Sequence, residues 1–270
     1  FLITASLLLL IFKGLNYGID FKGGTLIELR SSDSKINVSS LRDKFNQMDL
    51  GDVSVKNFGN DTDFLIKFEN KDNKKNIIEE IKKNLDSSFG SNYDFRRVEN
   101  VGPKVSAELL KAGVIAISLS LAVMLIYIWI RFEWQFSLGA ILALFHDVIV
   151  TLGIFSLFSF EINLSIIAAV LTIVGYSMND TVVIYDRIRE NLLKYSSLKI
   201  GEITNKSINE TLSRTIITSS TTLLALISIF LLGGEILKGF SLAMIIGVIV
   251  GTYSSIFVAS PILKYFNVSF

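Results

Sequence analysis

Residues 162–184 read INLSIIAAVLTIVGYSMNDTVVI, 23 positions that carry one formal charge, Asp180. A bilayer core of about 30 Å is crossed by roughly 20 mostly apolar helical residues, so this stretch is long enough to span. A carboxylate at that depth is costly unless it is paired, protonated or functional. Outward from it, four further segments have the same character: 112–130, 136–158, 215–232 and 240–263. The chain opens without Met on residues 1–12, all apolar or small. Twelve helical residues rise only about 18 Å. They are read as the C-terminal part of a first spanning helix whose beginning precedes Phe1. A signal peptide is the rival, but Lys13 ends the run with no small-residue cleavage site. The expectation is a six-span α-helical membrane protein.

The charge is unevenly divided. Between Lys13 and Lys111 stand 17 Lys/Arg and 16 Asp/Glu, against 18 charges in the remaining residues from 112 to 270. The first part has the composition of a water-soluble domain, the second that of a lipid-embedded one. A net charge of +1 provides no field to attract nucleic acid. With no cysteine and a single histidine, disulfides, thiol catalysis and a multi-histidine metal site are excluded. No Gly-x-x-x-x-Gly-Lys-Ser/Thr pattern occurs, so no ATP site is expected, nor any other cofactor.

Orientation follows from the short loops. Arg131 lies between the second and third spans, and the expected loop 185–213 carries Arg187, Arg189, Lys194, Lys199 and Lys206. Residues 159–161 carry no basic group, and 233–239 only Lys238. Lys264 follows the last span. Positive loops stay in the cytoplasm, which sends the charged domain at 13–102 outside. The transmembrane part is then 103–270.

Within 13–102 the period alternates between two and 3.6. Strands are expected at 25–30, 53–58, 64–69 and 93–98, and helices at 38–48, capped by Ser39 or Ser40, and at 73–89. The order β-α-β-β-α-β is that of a ferredoxin-like domain, with two helices on one sheet face and the other free. That free face can take a partner strand or rest on a neighbouring domain. Gly102-Pro103 closes the domain, and the next helix is expected from Pro103 or Lys104.

Polar groups inside the spans are the candidate site. Asp180 and Arg214 lie within a turn or two of helix ends that share one loop, so lateral pairing is possible; alone, Arg214 reads as a snorkelling anchor and Asp180 as an interhelical bridge. His146-Asp147 stands near the middle of the third span. Neighbours on a helix diverge by about 100°, so the two are not expected to face each other, and His146 reads as a structural hydrogen-bonding residue. Thr218-Ser219-Ser220-Thr221-Thr222 could carry hydrogen bonds along the fifth span. Ala243, Gly247, Gly251, Ser255 and Ala259 form a small-residue stripe suited to close helix packing. An acid that gains and loses a proton beside Arg214 could couple helix movement to ion flow.

These strings carry a resemblance. Gly18-Ile19-Asp20-Phe21-Lys22-Gly23-Gly24 after the first span resembles the Gly-Ile-Asp-Phe-x-Gly-Gly segment of the SecD/SecF protein-export family, with Lys22 where a small or hydroxyl residue is more usual. Val101-Gly102-Pro103, the string from Gly175 through Asn179 and Asp180 to Asn191, Leu212-Ser213-Arg214-Thr215 and His146-Asp147 are similar to further family elements. The resemblance implies an accessory subunit of the bacterial Sec machinery in the cytoplasmic membrane, not an enzyme. It would pair with SecD in a twelve-span assembly like the resistance-nodulation-division transporters. It would associate with the SecYEG channel and YajC, and act on unfolded polypeptide in transit. The energy source would be the proton-motive force, with Asp180, Arg214 and, less firmly matched, Asp147 on the proton pathway; Asn179, Gly175, Gly247 and Gly251 would serve helix packing or structure. Three other readings stand beside this one: half of a small-molecule or lipid exporter, a passive scaffold for SecD, and an intramembrane aspartyl protease, whose Gly-x-Gly-Asp sequence is absent before Asp180.

Overall fold

The computed structural model describes residues 1–32, 36–48, 50–68, 77–90, 92–195 and 198–265. Glu69 of the third expected strand and positions 73–76 of the second expected helix lie outside them. The elements, in order, are α1 (Leu2–Phe12), β1 (Asn16–Tyr17), α2 (Ile19–Lys22), β2 (Gly24–Ser31), α3 (Val38–Asn46), β3 (Val53–Phe58), β4 (Asn60–Phe68), α4 (Ile77–Phe89) and β5 (Tyr93–Val101). Then come α5 (Pro103–Arg131), α6 (Trp134–Leu157), β6 (Glu161–Ile162), α7 (Leu164–Lys194), α8 (Ile200–Leu232) and α9 (Glu235–Ser254). A π-helical turn (Ser255–Ala259), α10 (Ser260–Ile262) and a 3-10 turn (Leu263–Tyr265) follow. The chain divides into two compact units, Tyr17–Ala112 and Phe1–Asn16 with Gly113–Phe270.

In the first unit the sheet order is β3-β4-β2-β5, every neighbouring pair antiparallel. Ile27 and Leu29 of β2, Val55 of β3 and Phe64, Ile66 and Phe68 of β4 point to one face. Leu41 and Phe45 of α3 and Ile77, Ile81 and Leu85 of α4 cover it, one residue per helical turn. Burying each such side chain contributes about 1.5–3 kcal/mol, which is why this face orders the unit. The cap of α3 is Asn37, not Ser39 or Ser40. Asn37 Oδ1 accepts from the Ser40 amide at 2.9 Å and the Ser40 hydroxyl accepts from the Asn37 amide at 3.0 Å, so Ser40 closes a capping box from inside the helix. On the opposite face Arg30 makes a two-pronged ion pair with Asp63 (2.6 and 2.7 Å). That guanidinium holds the Asp63 carboxyl below its ordinary value.

The paired glycines have a steric reason. Gly23 and Gly24 sit at φ +80° and +134°, and a Cβ on Gly24 would stand 2.7 Å from the Phe68 carbonyl oxygen. The chain therefore enters β2 against β4 only with glycine there.

Among the described residues five helices are long and apolar enough to cross a membrane: Pro103–Arg131, Trp134–Leu157, Leu164–Lys194, Ile200–Leu232 and Ile236–Tyr265. Helix α5 starts at Pro103, whose missing N–H belongs to the first turn. The shorter apolar α1 packs on α6, with Ser6 against Gly153, where any Cβ would collide with it. Ser156 Oγ donates to the Gly14 carbonyl (2.6 Å) and Lys13 Nζ to that of Leu157 (2.6 Å).

The interval 185–213, expected as a loop, is almost entirely helix. Helix α7 runs on to Lys194 and α8 begins at Ile200. The apolar spacing explains it: Ile184 and Ile188 continue one buried face, and Ile203 and Ser207 begin another. The two helix ends are joined by Arg187–Glu210 (2.6 Å) and by Asn191 Nδ2 donating to Ser207 Oγ (2.9 Å).

Candidate functional site

Three helices converge on Asp147 of α6, which is fully buried. Its Oδ2 accepts from Ser177 of α7 at 2.5 Å and from Ser254 of α9 at 2.8 Å. Its Oδ1 lies 3.0 Å from His146 Nδ1. Thus His146 and Asp147 do meet, against the expectation drawn from their 100° separation. Their Cα–Cβ bonds diverge, but rotation about the side-chain bonds turns the near ring nitrogen back onto the carboxylate. His146 is also buried, with its ring 6.1 Å from that of Tyr253.

The hydroxyl cluster continues along the same seam. Thr181 and Ser255 hydroxyls are 2.9 Å apart, and Ser255 Oγ donates to the Gly251 carbonyl at 2.9 Å. Ser254 and Ser255 stand where α9 passes into the π-helical turn. That irregularity precedes Pro261, which has no N–H to give to the Phe257 carbonyl. Tyr185 OH donates to the Ala259 carbonyl at 3.0 Å, from a ring buried at the helix junction.

Asp180 lies on α7 three residues past Ser177 and is 4% exposed. Its Oδ2 has no hydrogen-bond partner among the described residues. Ser219 and Arg214 of α8 are the groups that act on the carboxyl. Ser219 in turn contacts Thr252 of α9, oxygen to oxygen 2.7 Å. Arg214 itself is exposed, and among the described residues it forms no ion pair with Asp180. Its influence is through space, so the lateral pair considered from sequence is not made here.

The hydroxyl string of α8 is mostly consumed by its own helix. Thr218, Thr221 and Thr222 each donate to the carbonyl four residues back, at 3.0, 3.0 and 2.9 Å. Across to α7, Tyr176 OH donates to Thr222 Oγ1 at 3.3 Å.

Gly247 and Gly251 lie in the contact of α9 with α7. A Cβ at Gly247 would collide with Ile173, and one at Gly251 would stand 3.0 Å from Ser177 Cβ. Ala243, Ser255 and Ala259 of the same stripe are fully buried. Gly175 and Asn179, grouped with these glycines from sequence, sit elsewhere. Both are exposed, and nothing stands within 4 Å of a Cβ built at Gly175. Four residues apart, they share the outward face of α7 and line a groove of about 380 Å³ with Val123, Met124 and Tyr127 of α5. Within this chain Gly175 faces that groove rather than a closely packed helix.

Ser177, Ser254, Thr181 and Tyr185 escaped the sequence reading. A serine in an apolar span is a common small packing residue, and only its place opposite Asp147 marks it. The pair Ser254-Ser255, with Ser255 in the small-residue stripe and Pro261 six residues further on, was the available signal.

The comparisons bear on the whole chain. The family description "Protein export membrane protein SecD/SecF, C-terminal" matches residues 80–269, and "SecD/SecF GG Motif" matches 8–35. A protein translocase subunit SecF of Rickettsia bellii is 49% identical over 271 residues, covering 98% of this chain and 89% of that protein. One from Cereibacter sphaeroides is 43% identical over 281 residues, covering 99% of this chain and 85% of that protein. The crystal structure of SecDF, a translocon-associated membrane protein from Thermus thermophilus, matches with TM-score 0.87 and 37% identity. There the match covers 98% of this chain but only 36% of that one, so the chain spans about a third of SecDF. A SecDF structure in a super-membrane-facing form matches at TM-score 0.70 and 36% identity, over 98% of this chain and 37% of that one. This chain belongs to the SecD/SecF family of protein-export membrane proteins.

Proposed function

We propose that this chain is the SecF-type accessory subunit of Sec protein translocation, which pairs with SecD and draws on the proton-motive force to assist late passage of polypeptide. The names of its relatives support the translocation role, and the SecDF matches support pairing with SecD. The observation that carries the proton step is Asp180: a buried carboxyl in a spanning helix with one oxygen unpartnered among the described residues. An ionised carboxylate so placed leaves an acceptor unsatisfied in a medium without water, and a proton delivered to that oxygen relieves it.

The steps assigned to this chain are short. Asp180 takes a proton from one side of the membrane. Loss of its charge removes the pull of Arg214 and changes its contact with Ser219, which is linked through Thr252 to α9. Release of the proton to the other side resets the charge. Each unit charge moved is worth about 2.3 kcal/mol per 100 mV, enough to bias a two-state packing. The unequal TM-scores of the two SecDF matches, at nearly equal identity, support a family fold that takes more than one arrangement.

The same reading places α1 as the end of a sixth span, the chain in the bacterial cytoplasmic membrane and residues 13–102 on its outer side. The strand order β3-β4-β2-β5 supports a ferredoxin-like identity for that domain. SecYEG and YajC are the wider partners, unfolded polypeptide is the cargo, and the chain works as a transport subunit without catalysis or a resident cofactor.

The test is export of a secreted reporter in cells carrying Asp180→Asn, with copurification of SecD measured in parallel. The expected outcome is intact assembly with export falling to the level of cells lacking the chain. Undiminished proton-dependent export with intact assembly refutes the motor and leaves a scaffold.

A further inference from the structure

Between the first turns of α8 and the segment that follows α9 lies an open cavity of about 1030 Å³. Its two ends differ in chemistry. Ile208, Leu212 and Phe257 form an apolar wall, and Lys199 and Lys264 stand at the other end. Leu212 is three residues short of the apolar span that begins near Thr215, so the apolar end lies at the edge of the hydrocarbon. The stem of Lys264 reaches α8, its Cδ 3.8 Å from where a Cβ on Gly201 would be. At that polar end α8 begins without a side-chain cap, leaving first-turn N–H groups to a ligand.

One side chain marks the cavity as built for a ligand. Thr204 lines it, is 5% exposed, and its hydroxyl has no hydrogen-bond partner among the described residues. A buried hydroxyl without a partner is unfavourable, and rotation about the Thr204 Cα–Cβ bond toward the cavity would let an entering acceptor oxygen satisfy it. Glu202 also lies on the wall, which disfavours a highly charged polyanion and leaves room for a single phosphodiester.

We propose that this cavity holds one anionic phospholipid of the surrounding leaflet. Its phosphodiester meets Lys199, Lys264, the Thr204 hydroxyl and the open start of α8. The first part of an acyl chain lies along Ile208, Leu212 and Phe257. Two lysines at headgroup level supply the charge preference, and the apolar wall, partly exposed at Phe257, supplies what a free phosphate could not use. The proposal is independent of the translocation reading, because none of these residues carries the proposed proton step.

The experiment is native mass spectrometry of the complete protein with its copurifying partner. It is delipidated and then offered dioleoyl-phosphatidylglycerol, dioleoyl-phosphatidylcholine or inorganic phosphate in the same micelles. The expected result is retention of one phosphatidylglycerol in preference to phosphatidylcholine, with no competition from inorganic phosphate. Lys199→Gln with Lys264→Gln should weaken that retention by about tenfold or more. Both lysines are exposed, so their replacement leaves the packing intact. Thr204→Val should weaken it by a smaller factor. Equal retention of the two lipids, full retention by the double variant, or displacement by inorganic phosphate overturns the proposal. So does binding seen only when the partner is stripped away, since the cavity would then be a protein contact.

Discussion

Asp147 and Asp180 sit on neighbouring helices of one membrane unit and are almost equally buried, at 0% and 4% exposed. Around Asp147, Ser177, Ser254 and His146 bring polar atoms to both carboxylate oxygens. Around Asp180 one oxygen has no partner among the described residues. Burial alone therefore does not distinguish a structural carboxylate from a working one; the count of donors does. A satisfied acid ties three helices into one packing, whereas a half-satisfied acid gains from taking up a proton and can change state.

The largest expected effect breaks the first site. Asp147→Leu strands the Ser177 hydroxyl and an imidazole nitrogen in the core, leaves Ser254 only the Gly251 carbonyl, and should destabilise the protein by about 2–4 kcal/mol. Thermal unfolding in micelles would read it directly. Asp180→Asn should shift the same melt by less than about 1 kcal/mol, since it removes a charge without removing a satisfied network. If both variants melt alike, the contrast between the two acids fails.

A second pair sharpens the distinction between the two faces of α7. Gly247→Ala forces a methyl group onto Ile173 and should cost about 1–3 kcal/mol. Gly175→Ala adds a methyl in open space within a helix and should be neutral or stabilising by up to about 1 kcal/mol. Loss of partner binding in the Gly175 variant, without loss of stability, would show that the outward face of α7 meets another chain.

The smallest effect lies in the first unit. Arg30 holds the Asp63 carboxyl below its ordinary value of 3.8, so the ion pair stabilises the fold above that pH. Its contribution is lost as pH falls through the lower value of the folded state. Protection of the β2 and β4 amides, taken relative to intrinsic exchange at each pH, should therefore fall in acid, and fall less in Asp63→Asn. An equal response in both would remove Asp63 from the cause.

Much of the fold was legible because its determinants are local. The glycine pair, the start of α5 at Pro103, the helix faces of Leu41 and Phe45 and of Ile81 and Leu85, and five apolar stretches all follow from spacing and side-chain type. The failures were of a different kind. Asn37 was overlooked as a cap because the reading looked for serine alone. Charges in 185–213 concealed helix, since Arg187, Glu210 and Asn191 satisfy one another across a hairpin rather than facing water singly. The meeting of His146 with Asp147 was rejected on backbone angle, although the rotamers decide it.

The amino-acid sequence alone determined what is buried in lipid and what in a soluble core, because hydrophobic length and period act residue by residue. It also located the acids that hydropathy disfavours. Which acid is held and which is free was decided only when α6, α7, α8 and α9 packed together. Hydrogen bonding is directional and short-ranged, and Ser177 and Ser254 lie 30 and 107 residues from Asp147 along the chain. Distances of that kind exist only in the folded molecule.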